Sequence, residues 1–291
     1  MDKMEMDNMD FFIGLQFGYL EVLKRMVNIS KGFGSQYCTF SVSQSKVEII
    51  GLDLKSSLYV CVSCEVSDDA YVQVLRFNIP PSFQNTGTVC FKVNTHNLVH
   101  AIECMCKETD RHLMSYVYMK LRESGEKWIL NLQREDSNDK EVNKNEKEIF
   151  VLPETFLKSE PRIGPFNVDM AIPHFYEVHC VGVSIKNFNE RIKISANNQG
   201  ELRLEAGHAM FNIATCFNNC INYMDLVEIL DGDHCKFVTI NVDSAHFVKF
   251  FNVVTEEFDV NFKIVDNHAL LLEGEEKEKC LKVKLILPAK L

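Results

Sequence analysis

The sequence lacks long apolar runs, and it lacks the basic excess of a protein that binds nucleic acid freely. No window approaches the about 18 consecutive apolar residues that a transmembrane helix requires. The amino terminus is acidic, without a basic segment and an apolar core, so we expect no secretory signal. Lys and Arg number 31 against 41 Asp and Glu, a formal charge of −10. Any nucleic-acid role must therefore come from sorted charge.

Familiar catalytic motifs are also missing. The patterns G-x-S-x-G, H-E-x-x-H and G-x-x-x-x-G-K-[ST] do not occur. The segment Gly32–Ser35 follows a predicted helix rather than a strand, which argues against a phosphate loop. The segment Asp231–His234 is typical of a turn, and the nine histidines are scattered. We predict no enzymatic activity, no cofactor and no metal; a cysteine-dependent enzyme and a generic two-domain binding protein stay open as alternatives.

The chain has 11 cysteines, an odd number, which indicates free thiols in a reducing compartment. Cys61 and Cys64 form a C-x-x-C within an alternating apolar run. In a strand, residues three apart point to opposite faces, so this pair is unsuited to chelation or to a redox disulfide. Buried thiols are the simplest interpretation.

An internal repeat organises the chain. The segment Phe91–Ile102 reads as an alternating strand, an Asn-Thr cap and an apolar helix, and Ile240–Phe251 reads the same way with an Asp-Ser cap. The offset is 240 minus 91, or 149 residues, and the same offset relates Gly125 to Gly274 in polar turns between strand-like runs. Two similar units in tandem are therefore predicted.

Each unit also begins with a helix. Residues 19–31 are amphipathic, with Leu20, Leu23, Met26 and Val27 on one face. In the second half Pro173 can open a helix whose inward stripe comprises Phe175, Val178, Val181 and Ile185. Alternating strands follow both helices. Each half thus reads as helix, strands, helix, strands, which predicts an α+β fold with two helices on one side of antiparallel sheets.

A polar segment separates the halves. Residues 135–148 are almost entirely charged or polar, which predicts a solvated loop or linker. The run Ile149–Pro153 then predicts a crossing strand or an extended connector, and Pro161 and Pro165 precede the second unit. We expect a first domain at 1–134, an interdomain connector at 135–165 and a second domain at 166–291.

The charges of the predicted helices differ from those of the whole chain. Their solvent-facing positions are neutral to mildly basic, whereas the acidic excess lies mainly in the connector, the turns and the amino terminus. Each Lys alone is an ordinary solvated residue. Together they favour a surface that faces a polyanion.

This arrangement resembles a DNA sliding clamp. The carboxyl third is similar to that of the replicative clamp, proliferating cell nuclear antigen, over Phe237–Val242, Phe250-Phe251, Asp259–Ile264 and the closing strand Leu285–Lys290. The stretch Arg191–Leu204, with Ile172-Pro173 before it, resembles the Hus-type subunit of the heterotrimeric checkpoint clamp, often called nine-one-one. There an Ala-Asn, a short turn and Gly-Glu-Leu occupy the same place. The resemblance covers the whole chain as a pattern and is specific from about Ile172 to Lys290.

The resemblance implies the DNA-clamp fold and a role for particular residues. Two tandem similar domains would each place two helices on the inner face of antiparallel sheets, and three related subunits would close a ring around duplex DNA. Position in the family puts five basic residues toward DNA: Lys24, Arg25, Lys107, Lys186 and Lys249. Subunits would join through edge strands at 113–121 and 208–215, with these residues: Leu113, Tyr116, Tyr118, Met210, Phe211 and Ile213.

The resemblance also implies a function and partners. It implies a non-enzymatic subunit that pairs with two other clamp subunits, is loaded around double-stranded DNA by an ATP-dependent loader, and acts as a platform for checkpoint and repair proteins. It implies a nuclear protein, with the cytoplasm as a second location. No Lys/Arg run typical of a nuclear import signal occurs, so import with a partner is an option. A replicative homotrimeric clamp, a polymerase processivity factor, is the alternative within the family.

Overall fold

The computed structural model divides the chain into two compact units. It describes residues 13–17, 20–33, 36–53, 58–66, 72–80, 87–106, 115–124, 127–136, 145–154, 160–172, 175–208, 211–223, 236–276 and 281–290. The first unit comprises residues 1–51, 62–158 and 278–281. The second comprises residues 52–61, 159–277 and 282–291.

The first unit combines two helices with an antiparallel sheet. The helices are α1 (Leu20–Gly32) and α2 (Thr95–Cys106). The strands are β1 (Ile13–Phe17), β2 (Tyr37–Val42), β5 (Val72–Phe77), β6 (Val89–Asn94), β7 (Ser115–Ser124), β8 (Lys127–Asp136) and β9 (Asn145–Pro153), and two further strands, β3 (Lys46–Asp53) and β4 (Leu58–Glu65), have residues in both units. They follow the order β3-β2-β6-β9-β8-β7-β1-β5.

The second unit repeats this plan. Its helices are α3 (Phe175–Lys186) and α4 (Ser244–Val253). Its strands are β10 (Val168–Ala171), β11 (Arg191–Ala196), β12 (Leu202–His208), β13 (Phe211–Phe217), β14 (Ile221–Asn222), β15 (Val238–Asp243), β16 (Asp259–Val265), β17 (Ala269–Glu276) and β18 (Leu281–Pro288). They form two sheets with the orders β14-β10-β16-β17-β18 and β13-β12-β11-β15.

The core of the first unit lies between its helices and its sheet. Of the apolar face predicted for the first helix, Leu23, Met26 and Val27 are buried. The rings of Phe40 and Phe91 stack on neighbouring strands with centroids 5.2 Å apart. One charged side chain, Arg134 of β8, is almost fully buried and donates a hydrogen bond to the carbonyl of Met105 near the end of α2. A cation at that position complements the negative carboxyl end of the helix dipole.

Aromatic side chains dominate the core of the second unit. Phe247, Phe250 and Phe251 of α4 are buried, and Phe251 contacts Phe175 of α3 with ring centroids 5.1 Å apart. The two helices approach closely because Gly182 has no side chain: a Cβ there would lie 3.0 Å from Cε1 of Phe247. Close packing of α3 against α4 holds both exposed helix faces at fixed positions.

The polar segment between the halves contains more strand than the sequence indicates. The strand β8 continues to Asp136, and β9 already begins at Asn145 and pairs antiparallel with it. Ile149 and Val151 are buried on one face of β9. Burial of alternate residues is typical of a strand, and here the strand extends back into the polar residues before Ile149. Residues 137–144 lie outside the described residues, and the connector boundaries of 135–165 stay a prediction.

A chain of alternating charges holds the segment before β10 against its sheet. Lys284 of β18 donates to Glu160 at 2.9 Å and lies 3.6 Å from Glu273, which in turn lies 2.8 Å from Lys263. Lys263 also lies 3.5 Å from Asp169. Burial alone would lower the pKa of both lysines. The hydrogen bond of Lys263 to Glu273, that of Lys284 to Glu160 and the nearby negative charges outweigh burial, so the pKa of each lysine is raised. Each lysine therefore keeps its charge between carboxylates.

Asp243 is the capping residue of α4. Its Oδ1 accepts a hydrogen bond from the backbone N–H of His246 at 2.9 Å, and its Oδ2 accepts one from Lys290 at 2.5 Å. Burial alone would raise the pKa of the Asp243 carboxyl. These hydrogen bonds and the nearby positive charges outweigh burial, so the pKa is lowered from its usual 3.8. The ionised form therefore stabilises the folded state above pH of about 3.8, and that contribution is lost as pH falls through the lowered pKa.

Two variants, Asp243→Ala and Asp243→Asn, should distinguish the contribution of the helix cap to stability from that of the ion pair with Lys290. At pH 7, Asp243→Ala should lower the free energy of unfolding by about 1 kcal/mol or more, because both are lost. Asp243→Asn should cost less, since Asn caps helices well. Urea unfolding at pH 7 and at about pH 3 measures both variants. The wild-type advantage over Asp243→Asn should shrink at the lower pH; an unchanged advantage contradicts the assigned role of the carboxylate.

A tight turn joins β11 to β12 within the stretch that resembles Hus-type subunits. The buried Asn197 accepts, at Oδ1, hydrogen bonds from the backbone N–H groups of Gln199 and Glu201 at 3.0 and 3.1 Å. Gly200 has a φ of +83°, and its carbonyl accepts from the N–H of Cys220 at 2.9 Å. The Ala-Asn…Gly-Glu-Leu pattern thus encodes a turn packed against the segment after β13.

Candidate functional site

The two helices of the first unit present a polar surface away from their sheet. On α1, Glu21, Asn28 and Lys31 are exposed, and Lys24 and Arg25 are half-buried. Lys24 donates to Glu21 one turn earlier at 3.3 Å, so its charge is partly compensated. The exposed residues of α2 within the described part of the chain are His96, Asn97, His100 and Glu103.

The helices of the second unit present a similar surface. On α3 the exposed residues are Tyr176, Glu177, Cys180, Ser184 and Lys186. On α4, Lys249 and His246 are half-buried, whereas Ala245 and Asn252 are exposed. His179 Nε2 and Asn252 Oδ1 lie 2.8 Å apart and connect the two helices.

Charge is sorted between these helices and the rest of the chain. The four helices contain five basic and three acidic residues, a formal charge of +2, whereas the whole chain carries −10. The excess of 12 negative charges therefore lies outside the helices. The helices therefore carry a small net positive charge in a chain that is acidic as a whole, which favours their contact with a polyanion.

The structure places the predicted basic residues on the helices, with one exception. Lys24 and Arg25 lie on α1, Lys186 is exposed at the end of α3, and Lys249 lies midway along α4. Lys107 falls outside the described residues. A contact of the other four with DNA stays a prediction.

Sequence reasoning treated the histidines as scattered residues and did not assign them to these helix surfaces. His96 and His100 are exposed on α2, and His179 and His246 are half-buried on α3 and α4. Their position was readable, because all four fall between the apolar positions of predicted helices. They add polar side chains to each helix surface.

The predicted edge at 113–121 is wrong for the first unit. The strand there, β7, pairs with β8 on one side and β1 on the other; Tyr118 faces Gln133 and Gln16. The reason is that the short segment Ile13–Phe17 forms a strand and covers β7. The backbone of Tyr116 pairs with β8, its side chain is not described, and Leu113 falls outside the described residues.

The strand β13 lies at the edge of its sheet. It pairs with β12 from Phe211 to Phe217, and no other described strand pairs with it. Ile213 is half-buried, and Met210 falls outside the described residues. The strand contains neither charge nor proline, the devices that protect an exposed edge from pairing.

In the first unit, β9 has an open side that sequence reasoning missed. It pairs with β8 over Asn145–Val151, but with β6 only at Leu152 and Pro153. Its side chains Phe150 and Leu152 are 70% and 62% exposed. The sequence signal was the apolar run Ile149–Pro153, which predicted a crossing strand or an extended connector but not which side of a strand stays open.

Three thiols of the described residues are poor nucleophiles because they are buried. Burial raises the pKa of Cys38 to about 11 and also raises those of Cys90 and Cys220. A raised pKa leaves less of the reactive thiolate at neutral pH. Within the described residues no group of three or more His, Cys, Asp or Glu could hold a metal ion.

Comparison with known structures defines the class of the fold. The structure of proliferating cellular nuclear antigen from Entamoeba histolytica matches with a TM-score of 0.70 at 13% identity, covering 97% of this chain and 100% of that one. The Thermococcus kodakaraensis homologue matches at 0.67 and 9% identity, over 96% and 100%. The A. fulgidus one, solved with the C-terminal region of FEN-1 bound, matches at 0.63 and 14%, over 96% and 98%.

The chain has a sliding-clamp fold: it consists of two units of helices and sheet with two helices in each, and it matches these solved clamps over nearly its whole length. A family model of Hus1-like proteins matches residues 15–283, nearly the whole chain. The chain therefore belongs to the Hus1-like family. A search of curated proteins finds no match.

These comparisons confirm two expectations from the sequence. The resemblance to Hus-type clamp subunits is confirmed, as is the α+β clamp fold with antiparallel sheets. The chain is thus a member of the DNA sliding-clamp family. No helix in the described ranges is long and apolar enough to cross a membrane.

Proposed function

We propose that this protein is a non-enzymatic subunit of a heterotrimeric, ring-shaped DNA clamp of the DNA-damage checkpoint. Membership of the Hus1-like family over residues 15–283 carries the proposal. An ATP-dependent loader places the ring around duplex DNA in the nucleus. The loaded ring then serves as a platform for checkpoint and repair proteins.

Charge sorting supports the part of this proposal that concerns DNA. Helices with a net charge of +2 in a chain of −10 are suited to weak, diffuse contacts with phosphates. Lys24, Arg25, Lys186 and Lys249, together with Lys107, are the proposed contacts. Within the residues that the structure describes, the helices offer no large basic patch, so retention on DNA comes from ring closure, and the two neighbours supply part of the positive charge.

The open edges support the part that concerns assembly. A head-to-tail ring requires each subunit to present two different edges, one to each neighbour. The strands β13 and β9 are the open edges that suit this role. A neighbour's strand added to each would satisfy the backbone groups that are otherwise left to water. This replaces 113–121 by β9 as the proposed edge of the first unit.

The chain's own cysteines can test this proposal. Cys216 is exposed on β13, and Cys180 is exposed on α3. Assembly with two clamp subunits should slow alkylation of Cys216 severalfold and leave Cys180 reactive, because only β13 is then covered. Loading onto circular DNA should slow alkylation of Cys180.

Mass spectrometry after iodoacetamide labelling reads both positions in one sample. The buried Cys38 and Cys90 serve as internal controls that stay unlabelled in every state. An unchanged rate at Cys216 in the assembled complex argues against β13 as an edge. An unchanged rate at Cys180 on DNA argues against the helix surface as the DNA-facing side.

A further inference from the structure

The helix α2 differs in charge from the other three helices. It contains no Lys or Arg, and Glu103 is its one charged residue when histidine is counted as neutral. The helices α1, α3 and α4 each contain at least one Lys or Arg. The exposed face of α2 carries imidazole rings instead, at His96 and His100. Imidazole is the commonest side-chain ligand for metal ions in proteins.

A thiol lies beside one of these imidazole rings. The sulfur of Cys104 is 3.7 Å from Nε2 and 3.9 Å from Nδ1 of His100. Residues four apart share one face of a helix, so the backbone of α2 holds the two side chains together. His100 is exposed and Cys104 is half-buried, so a dissolved ion can reach both.

The separation of these side chains fits two corners of a tetrahedral zinc site. Bonds of about 2.3 Å from zinc to sulfur and about 2.0 Å from zinc to nitrogen place the two ligand atoms about 3.5 Å apart at the tetrahedral angle. The distance of 3.7 Å between Sγ of Cys104 and Nε2 of His100 is close to that value. A thiolate with an imidazole selects Zn²⁺ and similar thiophilic ions over Mg²⁺ and Ca²⁺, which prefer oxygen ligands.

Two other accessible thiols contact side chains of a different kind. The thiol of Cys180 on α3 is hydrogen-bonded to the hydroxyl of Tyr176 one turn earlier. The thiol of Cys216 on β13 donates to Oδ1 of Asn218 at 3.4 Å. Neither hydrogen-bond partner is a nitrogen or sulfur ligand of the type that zinc prefers. Cys104 is therefore the better placed of the three to share an ion with an imidazole.

We propose that His100 and Cys104 bind Zn²⁺ or a similar thiophilic divalent ion on the outward face of α2. A ring nitrogen of His100 binds the ion, and the Cys104 thiol binds as a thiolate and releases its proton to the solvent. The ion and the thiolate together add one positive charge beside Glu103. With two protein ligands the site is open and not a structural site, which takes four.

The two remaining tetrahedral positions give the bound ion a use on DNA. Water fills them in the free protein, and phosphate oxygens replace the water where α2 faces the duplex. The ion thus supplies a phosphate contact to the helix that has no Lys or Arg. This step rests on the proposed function, whereas binding of the ion does not.

Titration of the full chain alone with Co²⁺ tests the ion site. Co²⁺ takes the ligands that Zn²⁺ takes, and its bond to a thiolate gives a charge-transfer absorption that added Zn²⁺ removes by displacement. The inference expects this absorption in the wild type and its loss in Cys104→Ser. It expects at least about tenfold weaker binding in His100→Ala. Urea unfolding with a chelator present confirms that each variant is folded.

Two variants serve as matched controls, because each removes an exposed ligand type from a helix without changing the pair. Cys180→Ser removes an exposed thiol, and His96→Ala removes an exposed imidazole from the same helix. Both should bind Co²⁺ with the affinity of the wild type. An absorption that survives Cys104→Ser, or none in the wild type, overturns the inference. Weaker binding by His96→Ala than by His100→Ala overturns the assignment of His100.

Retention of the assembled ring on circular DNA tests the use of the ion. Wild-type rings should be retained severalfold longer with Zn²⁺ than with a chelator, and rings with Cys104→Ser should show no such difference. An equal response of both rings overturns the DNA contact and leaves the ion site in place. A chain that binds Co²⁺ at this site but forms no ring overturns the proposed function and not the ion site.

Discussion

Reversal of three basic residues on the helices should weaken retention of the assembled ring on DNA without preventing assembly. In the triple variant, Lys24, Arg25 and Lys249 are each replaced by Glu. Each phosphate contact adds about 0.9 to the slope of log affinity against log salt, so loss of three contacts should reduce that slope by about 2.7. Retention at moderate salt should fall on the order of tenfold or more.

The control must carry the same charge, because a more acidic protein binds DNA less well in any case. Lys46, Lys193 and Lys282 are 44, 47 and 45% exposed, and each pairs with a carboxylate on a sheet strand. Replacing either the three helix residues or these three sheet lysines by Glu changes the formal charge from −10 to −16, since each replacement removes one positive and adds one negative charge. Retention is measured on circular DNA over a salt series.

The helix set should weaken retention strongly and the sheet set weakly. Equal effects would show that net charge, not position, determines retention. If the helix set prevents assembly before it affects retention, these side chains are structural and their assignment toward DNA is wrong.

Gly200→Ala should destabilise the second unit more than other glycine replacements. A Cβ at Gly200 would lie 2.4 Å from the carbonyl oxygen of Cys220, a backbone atom that cannot rotate away. The φ of +83° adds strain for any residue with a side chain. The two effects together should lower the free energy of unfolding by about 3 kcal/mol or more.

Replacement of two other glycines by Ala distinguishes the cost of the steric clash from the cost of backbone strain. Gly87 has a φ of +64° with open space around its Cβ position, so Gly87→Ala should cost about 1 kcal/mol from strain alone. Gly164 has open space and no positive φ, so Gly164→Ala should stay within about 0.5 kcal/mol of the wild type. Urea unfolding of the three variants gives the order. A Gly200→Ala cost no larger than that of Gly87→Ala would show that the segment at Cys220 moves aside.

Much of the fold was readable from periodicity. The helices predicted at residues 19–31 and after Pro173 correspond to α1 and α3. They were predictable because three or more apolar residues recur at helical spacing in each. The repeat between Phe91–Ile102 and Ile240–Phe251 corresponds to β6 with α2 and β15 with α4. These features depend on local pattern alone.

Strand neighbours depend on contacts far apart in sequence, which local pattern does not report. The edge at β7 was mispredicted because β1, only five residues long, covers it from a position about 100 residues earlier. The edge at β9 was missed for the same reason, since nothing in Asn145–Pro153 identifies which side remains open. Exposure of Phe150 likewise follows only from the assembled sheet.

Native mass spectrometry of the protein isolated with its partners from its own cells tests the central claim most directly. One copy of the 33.5 kDa chain together with two different clamp-sized proteins is the predicted result. A complex of three equal copies, near 100 kDa, would instead indicate a homotrimeric replicative clamp. A chain found without any clamp-type partner would contradict the ring function altogether.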